Sequence, residues 1–355
     1  MMSVYPEGLL RLALPSGHSL AYRRLGQPDA RAWLVLHGGP GSGAASGLWH
    51  GFDLAMQQVV APDQRGSGHS RPRGSLRGQR LDTLIDDLER LRQALGLATW
   101  SVMGGSWGAT LALMYAARHP ESVEALVLRG SFRGTRGEVI RLLRRFWPLG
   151  GPPVAAGNGA PAGLSPRCLR PAQADKVLHE LSQLLRNGTV TPRVRRILQA
   201  WQTMEQAASL HGARQAWLHA GPTDEGRRLR RHWQSMRPAL LRRGREHPAP
   251  MPARQTKALW QKYRIQAHHL ANRCGLRPGD WDRALQTVAA QGIATHWIHG
   301  RHDAVCPPAN SLDSQRRMSA LPTQGGPSRL TLTRAGHLGS EPGNLQALRA
   351  AVRHG

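Results

Sequence analysis

Gly104-Gly105-Ser106-Trp107-Gly108 fits the pattern G-x-S-x-G, in which a serine rides on a tight strand-to-helix turn. The neighbouring sequence supplies that context. Trp100-Ser101-Val102-Met103 reads as a short strand, and Ala109 to Arg118 as a helix stopped by Pro120. A serine on so sharp a turn sits in strained backbone, and only residues without a Cβ fit beside it. Ser106 is therefore expected to project from the turn, with a helix N-terminus behind it.

Outward from this turn, strand and helix signals alternate through the first 135 residues. Leu9 to Leu14 and Ser19 to Arg24 read as a hairpin around Pro15-Ser16-Gly17. Ala32-Trp33-Leu34-Val35-Leu36 and Gln58-Val59-Val60-Ala61 are apolar runs of the kind buried parallel strands show, and Ala125-Leu126-Val127-Leu128 is another. Leu81, Leu84, Ile85, Leu88, Leu91 and Leu95 fall at helical spacing, with Gly96 closing that helix. Such alternation argues for a parallel sheet with crossover helices. From about Glu138 to Ala290 the strand signals vanish. A loop rich in Gly, Pro and Ala (Pro148 to Pro166) gives way to helical patterns around Val177–Leu185, from Pro192 through Trp201, and over Thr256–Arg273. The Arg-rich segment Arg227–Arg245 reads as a solvated helical face. Strands resume at Thr295-His296-Trp297-Ile298 and Leu330-Thr331-Leu332. The expected architecture is an α/β fold with a mostly parallel central sheet and helices on both faces. Its core comprises 1–137 and 291–355, and an inserted all-helical cap spans 138–290 over the sheet's C-terminal edge, where open α/β folds bind ligands.

At 355 residues the chain can bury a large core. It has no run of 18 apolar residues, so no membrane span is expected. Its first residues lack a basic start and an apolar segment, and its three cysteines (Cys168, Cys274, Cys306) form no CxxC pair. A cytoplasmic setting with free thiols is the expectation. The formal net charge is +26, from 48 Lys and Arg against 22 acids, and only Lys176, Lys257 and Lys262 are lysines. A balance this basic suits nucleic acid or an anionic surface. The arginines are spread along a chain rich in Gly, Ala and Pro, with no aromatic-and-basic motif of an RNA binder, which favours compositional bias instead. Oligomeric state is left open.

Serine attack on an acyl group needs a base, a group that orients the base, and donors for the oxyanion. Asp303 follows the strand ending in Trp297-Ile298-His299-Gly300, and His337 follows Leu332-Thr333-Arg334-Ala335-Gly336. The order Ser106, Asp303, His337 is that of the α/β-hydrolase triad. His37-Gly38-Gly39-Pro40-Gly41-Ser42-Gly43 follows a strand without a Gly-Lys-Ser/Thr sequel, which argues for oxyanion donation rather than phosphate binding. The backbone N–H of Gly39 and that of Trp107 are the candidate donors. Trp49, Trp107 and Trp201 are candidates to line an apolar pocket, with core packing equally open to Trp49. Cys306 reads as a packing cysteine. His299 and His302 flank the acid, but no HExxH or CxxC pattern accompanies them, so no metal and no cofactor is expected.

These motifs together resemble the proline iminopeptidase (prolyl aminopeptidase) family of α/β-hydrolases. The resemblance is carried by His37–Gly43, Asp63-Gln64-Arg65-Gly66-Ser67-Gly68-His69-Ser70, Gly104–Gly108 and Leu128-Arg129-Gly130. In the second half it is carried by His299–Asp303 with Cys306-Pro307-Pro308, and by Ala335-Gly336-His337 with Glu341-Pro342-Gly343. It implies cofactor-free removal of N-terminal proline from short peptides. The cap is the weaker match. The family's Trp-x-x-Trp-Glu run, whose glutamate holds the substrate's amino group, has its counterpart in Trp201-Gln202-Thr203-Met204-Glu205, with Met204 replacing an aromatic. Trp201 and Glu205 are four apart and share a helical face. The family's second acidic amine ligand is matched by Gln266 in Arg264-Ile265-Gln266-Ala267-His268-His269, an acceptor without charge. Substrate-binding roles for Glu205, Trp201 and Gln266 rest on that resemblance. The alternatives are an esterase or amidase on the same triad with altered lid specificity, and a basic, non-catalytic hydrolase-like binding protein.

Overall fold

The structure, a computed structural model, describes residues 8–146, 171–241, 251–322 and 326–354. The Pro148 to Pro166 loop and Cys168 lie outside the described residues.

Eight strands form one sheet in the order β1-β2-β4-β3-β5-β6-β7-β8. β1 (Leu10–Leu14) and β2 (His18–Gly26) make the expected hairpin, and β2 runs antiparallel to β4 (Gln58–Asp63). From β4 onward the strands are parallel: β3 (Ala32–Leu36), β5 (Trp100–Gly105), β6 (Val123–Arg129), β7 (Ala294–Gly300) and β8 (Ser328–Thr333). β3, β4 and β5 are buried at every residue, as their uninterrupted apolar runs require when both faces are covered. Alternation along the strands divides the side chains between two cores. Leu34, Leu36, Val60, Val102, Leu126 and Leu128 face α1 (Leu81–Ala94) and α2 (Trp107–Arg118). Trp33, Val35, Val59, Met103, Val127 and Ile298 face the opposite way, against Ala347, Leu348, Ala351 and Val352 of α10 (Pro342–His354).

Between β6 and β7 the described chain is helical. α3 (Arg136–Phe146), α4 (Pro171–Arg186), α5 (Pro192–Ala220) and α7 (Ala253–Ala271) share a core of their own, built on Val139, Leu178, Ile197, Leu198, Trp201 and Tyr263. α5 starts as the sequence suggests, with Pro192 at its first turn and Thr191 Oγ1 accepting from Val194 N at 3.2 Å. α6 (Asp224–Leu241) presents Arg227, Arg228, Arg230 and Arg231 to solvent, the expected solvated face. α8 (Asp280–Ala290) buries Trp281, Ala284, Leu285 and Val288 in the sheet's core against α2 rather than in the cap's. α9 (Ala309–Ser319) lies between β7 and β8 in the chain.

The C-terminal ends of five parallel strands therefore open toward the same helices. The loops after β3, β5, β6, β7 and β8 carry Gly39, Ser106, Gly130, Asp303 and His337.

Candidate active site

Ser106 sits between β5 and α2 at φ 57°, ψ −121°, in the left-handed half of backbone space that a residue with a Cβ avoids. Such strain costs on the order of 1–3 kcal/mol and persists only where the surroundings enforce it. The glycines permit that enforcement. A Cβ on Gly104 would lie 2.1 Å from Gly108 O, and one on Gly108 would lie 2.3 Å from Leu36 O. β3, β5 and α2 thus approach closer than any side chain allows. Ser106 N donates to Arg129 O at 2.9 Å, tying the turn to the end of β6.

Asp303, after β7, and His337, after β8, are in contact. His337 Nδ1 lies 2.7 Å from Asp303 Oδ2. A carboxylate only accepts, so Nδ1 carries the hydrogen and leaves the Nε2 lone pair free. Asp303 Oδ1 accepts from Val305 N and Cys306 N at 2.8 and 2.9 Å, and His299 Nε2 stands 3.3 Å from Oδ2. Burial opposes ionisation of Asp303, but His337 and the hydrogen bonds from His299 and His337 outweigh it and hold the carboxyl well below its ordinary range. Ser106 and His337 line the same cavity. Among the described residues no hydrogen bond joins them, and the side-chain contact of Ser106 Oγ is Cys306 Sγ at 3.9 Å. Hydrogen bonds of this kind commonly close only in the substrate complex.

The candidate oxyanion donors flank the serine. The N–H of Trp107 belongs to the first turn of α2, where a helix provides no acceptor of its own. Gly39, at φ +44°, lies in the loop after β3, and a Cβ on its neighbour Gly38 would come within 3.0 Å of Ser106 Cβ. Gln64 braces the two segments. Its Nε2 donates to His37 O at 2.9 Å, and its Oε1 accepts from the Trp107 indole at 2.9 Å. Arg65 forms a buried two-pronged pair with Asp87 of α1, at 2.8 and 2.6 Å. The Asp63–Ser70 run thereby acts as scaffolding for the loop.

A cavity of about 300 Å³ runs from this loop to the cap. Its walls are mainly apolar, with Phe132, Val139, Leu142, Leu178, Met204 and Leu270, and its polar end is formed by Glu205, Lys262 and Gln266. Trp201 and Trp107 border it, each with its indole almost fully buried, and Trp201 stacks on Tyr263 at 5.1 Å. Trp49 does not line it. That side chain packs instead against the core that holds Ala347, Leu348, Ala351 and Val352 of α10. Glu205 reaches the cavity, yet its carboxylate is already engaged. Lys262 Nζ and Tyr263 OH donate to Oε2 at 2.7 and 3.0 Å, and Gln266 Nε2 donates to Oε1 at 2.7 Å. Burial works against the charge on Glu205, but Lys262 and these hydrogen bonds prevail and lower its pKa.

Three residues stand in places at the site that a reading of the sequence does not assign them. Lys262 sits one turn before Gln266 on the same face of α7, and its position four residues from a suspected ligand was the available signal. Arg129 is buried beside the site, its guanidinium donating to His337 O. Cys306 packs, as expected, but directly over the serine; burial and the Asp303 and Glu138 carboxylates push its thiol well up, so it stands as a neutral SH. Among the described residues no group of His, Cys, Asp and Glu is arranged to hold a metal, and no helix is long and apolar enough to cross a membrane.

An interrupted parallel sheet, a strained serine on its central turn and a helical insertion define an α/β hydrolase, and the alpha/beta hydrolase fold family matches residues 33–149. The proline iminopeptidase of Xylella fastidiosa (strain 9a5c) is 31% identical over 366 residues, covering 99% of both chains. That of Arabidopsis thaliana is 41% identical over 135 residues, covering 38% of this chain and 35% of its own. A solved structure of a proline iminopeptidase-related protein from Thermus thermophilus superposes with a TM-score of 0.54 at 18% identity, covering 99% of this chain and 97% of its own. The chain belongs to the proline iminopeptidase family, and it is a hydrolase.

Proposed function

We propose that this hydrolase is a serine exopeptidase that releases N-terminal proline from short peptides. Ser106 Oγ attacks the carbonyl carbon of the first residue while His337 Nε2 takes its proton. Asp303 holds the imidazole in the required tautomer and stabilises the imidazolium. The N–H groups of Gly39 and Trp107 receive the oxyanion as the carbonyl bond opens. His337 then returns the proton to the departing amine, and the peptide leaves one residue shorter. Water, activated by the same imidazole, cleaves the prolyl ester and restores Ser106. Glu205 anchors the amine of the substrate, which limits cleavage to the first bond, and the apolar wall accommodates the pyrrolidine ring. The observation that carries the reading is the 2.7 Å bond from buried Asp303 to His337, which shares one cavity with Ser106 and Glu205.

The test is hydrolysis of a proline arylamide, an alanine arylamide and a short acyl ester by the wild type, Ser106→Ala and Glu205→Gln. Proline arylamide turnover is expected in the wild type and absent in Ser106→Ala. Glu205→Gln is expected to raise KM for free-amine substrates by roughly tenfold or more, the worth of a charged hydrogen bond. Ester turnover without arylamide turnover would favour an esterase, and an unchanged KM for free-amine substrates in Glu205→Gln would remove Glu205 from its role.

A further inference from the structure

Arginine supplies nearly all the positive charge of this chain, and two of its three lysines, Lys176 and Lys257, are exposed. The third points its ammonium into the cavity, 2.7 Å from the carboxylate assigned to the substrate's amine. An ammonium on a flexible stem is the closest side-chain likeness of a free N-terminus, whereas a planar guanidinium is not. The position is also built. The backbone of Lys262 abuts the loop after β3, since a Cβ on Gly41 would lie 2.4 Å from Lys262 O. Its Nζ rests 4.6 Å from the centre of the Tyr263 ring, and Trp201 stacks on the same ring.

We infer that Lys262 is a specificity-determining residue, a tethered cation that competes with the substrate's amine for Glu205 and so relaxes the preference for a free N-terminus. The inference rests on the reading of Glu205 as the anchor. A carboxylate offers about four lone-pair positions. Lys262, Tyr263 and Gln266 take three of them. An incoming ammonium has two routes. It displaces Lys262, or it takes the remaining position beside a like charge, and both weaken its binding. The subsite as a whole is close to neutral, because the charges of Lys262 and Glu205 cancel. Gln266 adds no charge to this corner, and its Oε1 is buried and makes no hydrogen bond among the described residues. A corner without net charge and an apolar wall suit a substrate whose N-terminal group carries no charge, so such substrates are tolerated alongside free prolyl peptides.

The experiment measures binding of L-prolinamide and N-acetyl-L-prolinamide by calorimetry to Ser106→Ala protein, with Lys262 intact, as Lys262→Met, and as Lys262→Arg. Measuring binding without turnover separates this inference from the hydrolytic mechanism. Lys262→Met is expected to tighten L-prolinamide by roughly tenfold or more, as removal of a like charge at such range should, and to leave the N-acetyl compound within about twofold. Lys262→Arg retains the charge and is expected to bind L-prolinamide as weakly as the parent. With Ser106 restored, Lys262→Met lowers KM for a proline arylamide and leaves kcat within about twofold. Unchanged or weaker prolinamide binding in Lys262→Met overturns the inference, and so does absence of prolinamide binding in every variant. Glu205→Gln in the same Ser106→Ala background separates the two readings: prolinamide binding unchanged by Glu205→Gln removes the anchor itself, whereas binding weakened by Glu205→Gln but not tightened by Lys262→Met overturns the inference and leaves the anchor standing.

Discussion

Among the individual side chains, the proposed chemistry turns on how one carboxylate is used. Asp303 accepts from two backbone N–H groups on one oxygen and faces two imidazoles on the other. Each of these donors is satisfied only by an oxygen bearing no hydrogen. Asp303→Asn puts an NH2 opposite either the two N–H groups, where they clash, or His337 Nδ1, where it traps the imidazole in the tautomer that cannot accept from Ser106. The expected result is a fall in kcat of about 10⁴-fold with little change in KM, read from steady-state kinetics on a proline arylamide. A loss below about tenfold would mean that Asp303 does not orient the base. Asp303 and His337 were legible because each follows an apolar strand by a few residues, and chain order does the rest. Lys262 was not legible in the same way. Charge and spacing place it on a helix face, but only the packing of α7 against α5 shows that the face meets Glu205.

Among the strands and helices, the turn between β5 and α2 depends on backbone contact. A methyl group on Gly104 would have to displace Gly108 O, which cannot move without breaking the start of α2. Gly104→Ala is expected to lose at least about 3 kcal/mol of stability or fail to fold, whereas Gly47→Ala, where a Cβ meets nothing within 4 Å, should change stability by less than about 0.5 kcal/mol. Denaturant unfolding followed by circular dichroism distinguishes them, and similar midpoints would contradict the account of the turn. The strands and helices around this turn were readable from period and from punctuation by Gly and Pro. Which surface receives an amphipathic helix was not. Trp281, Ala284, Leu285 and Val288 announce a buried stripe on α8, and the same spacing would serve equally against the cap or against the sheet. The choice is made by α2, a partner more than 150 residues distant in the chain.

Across the full chain, the fold separates two jobs. In the proposed mechanism the sheet and its loops carry the reacting groups, and the cap supplies the walls that choose what reaches them. The first part matches the family motif by motif. The second departs from it at Met204 and Gln266, so the chain's selectivity is expected to depart there too. The surplus of positive charge falls largely on surfaces such as the exposed side of α6, away from the apolar cavity. Screening beyond about 8 Å leaves the local groups in control of recognition. The sequence reveals the charge but not its disposition, which follows from how helices pack. The proposed activity depends above all on Ser106 being the nucleophile beneath this cap. The decisive experiment is labelling with a prolyl phosphonate, followed by mass spectrometry of the digested protein. The expected outcome is one phosphonyl group per chain, located on Ser106, with loss of proline arylamide turnover in step with labelling. Label on any other residue, or full labelling of Ser106 with turnover retained, would contradict it.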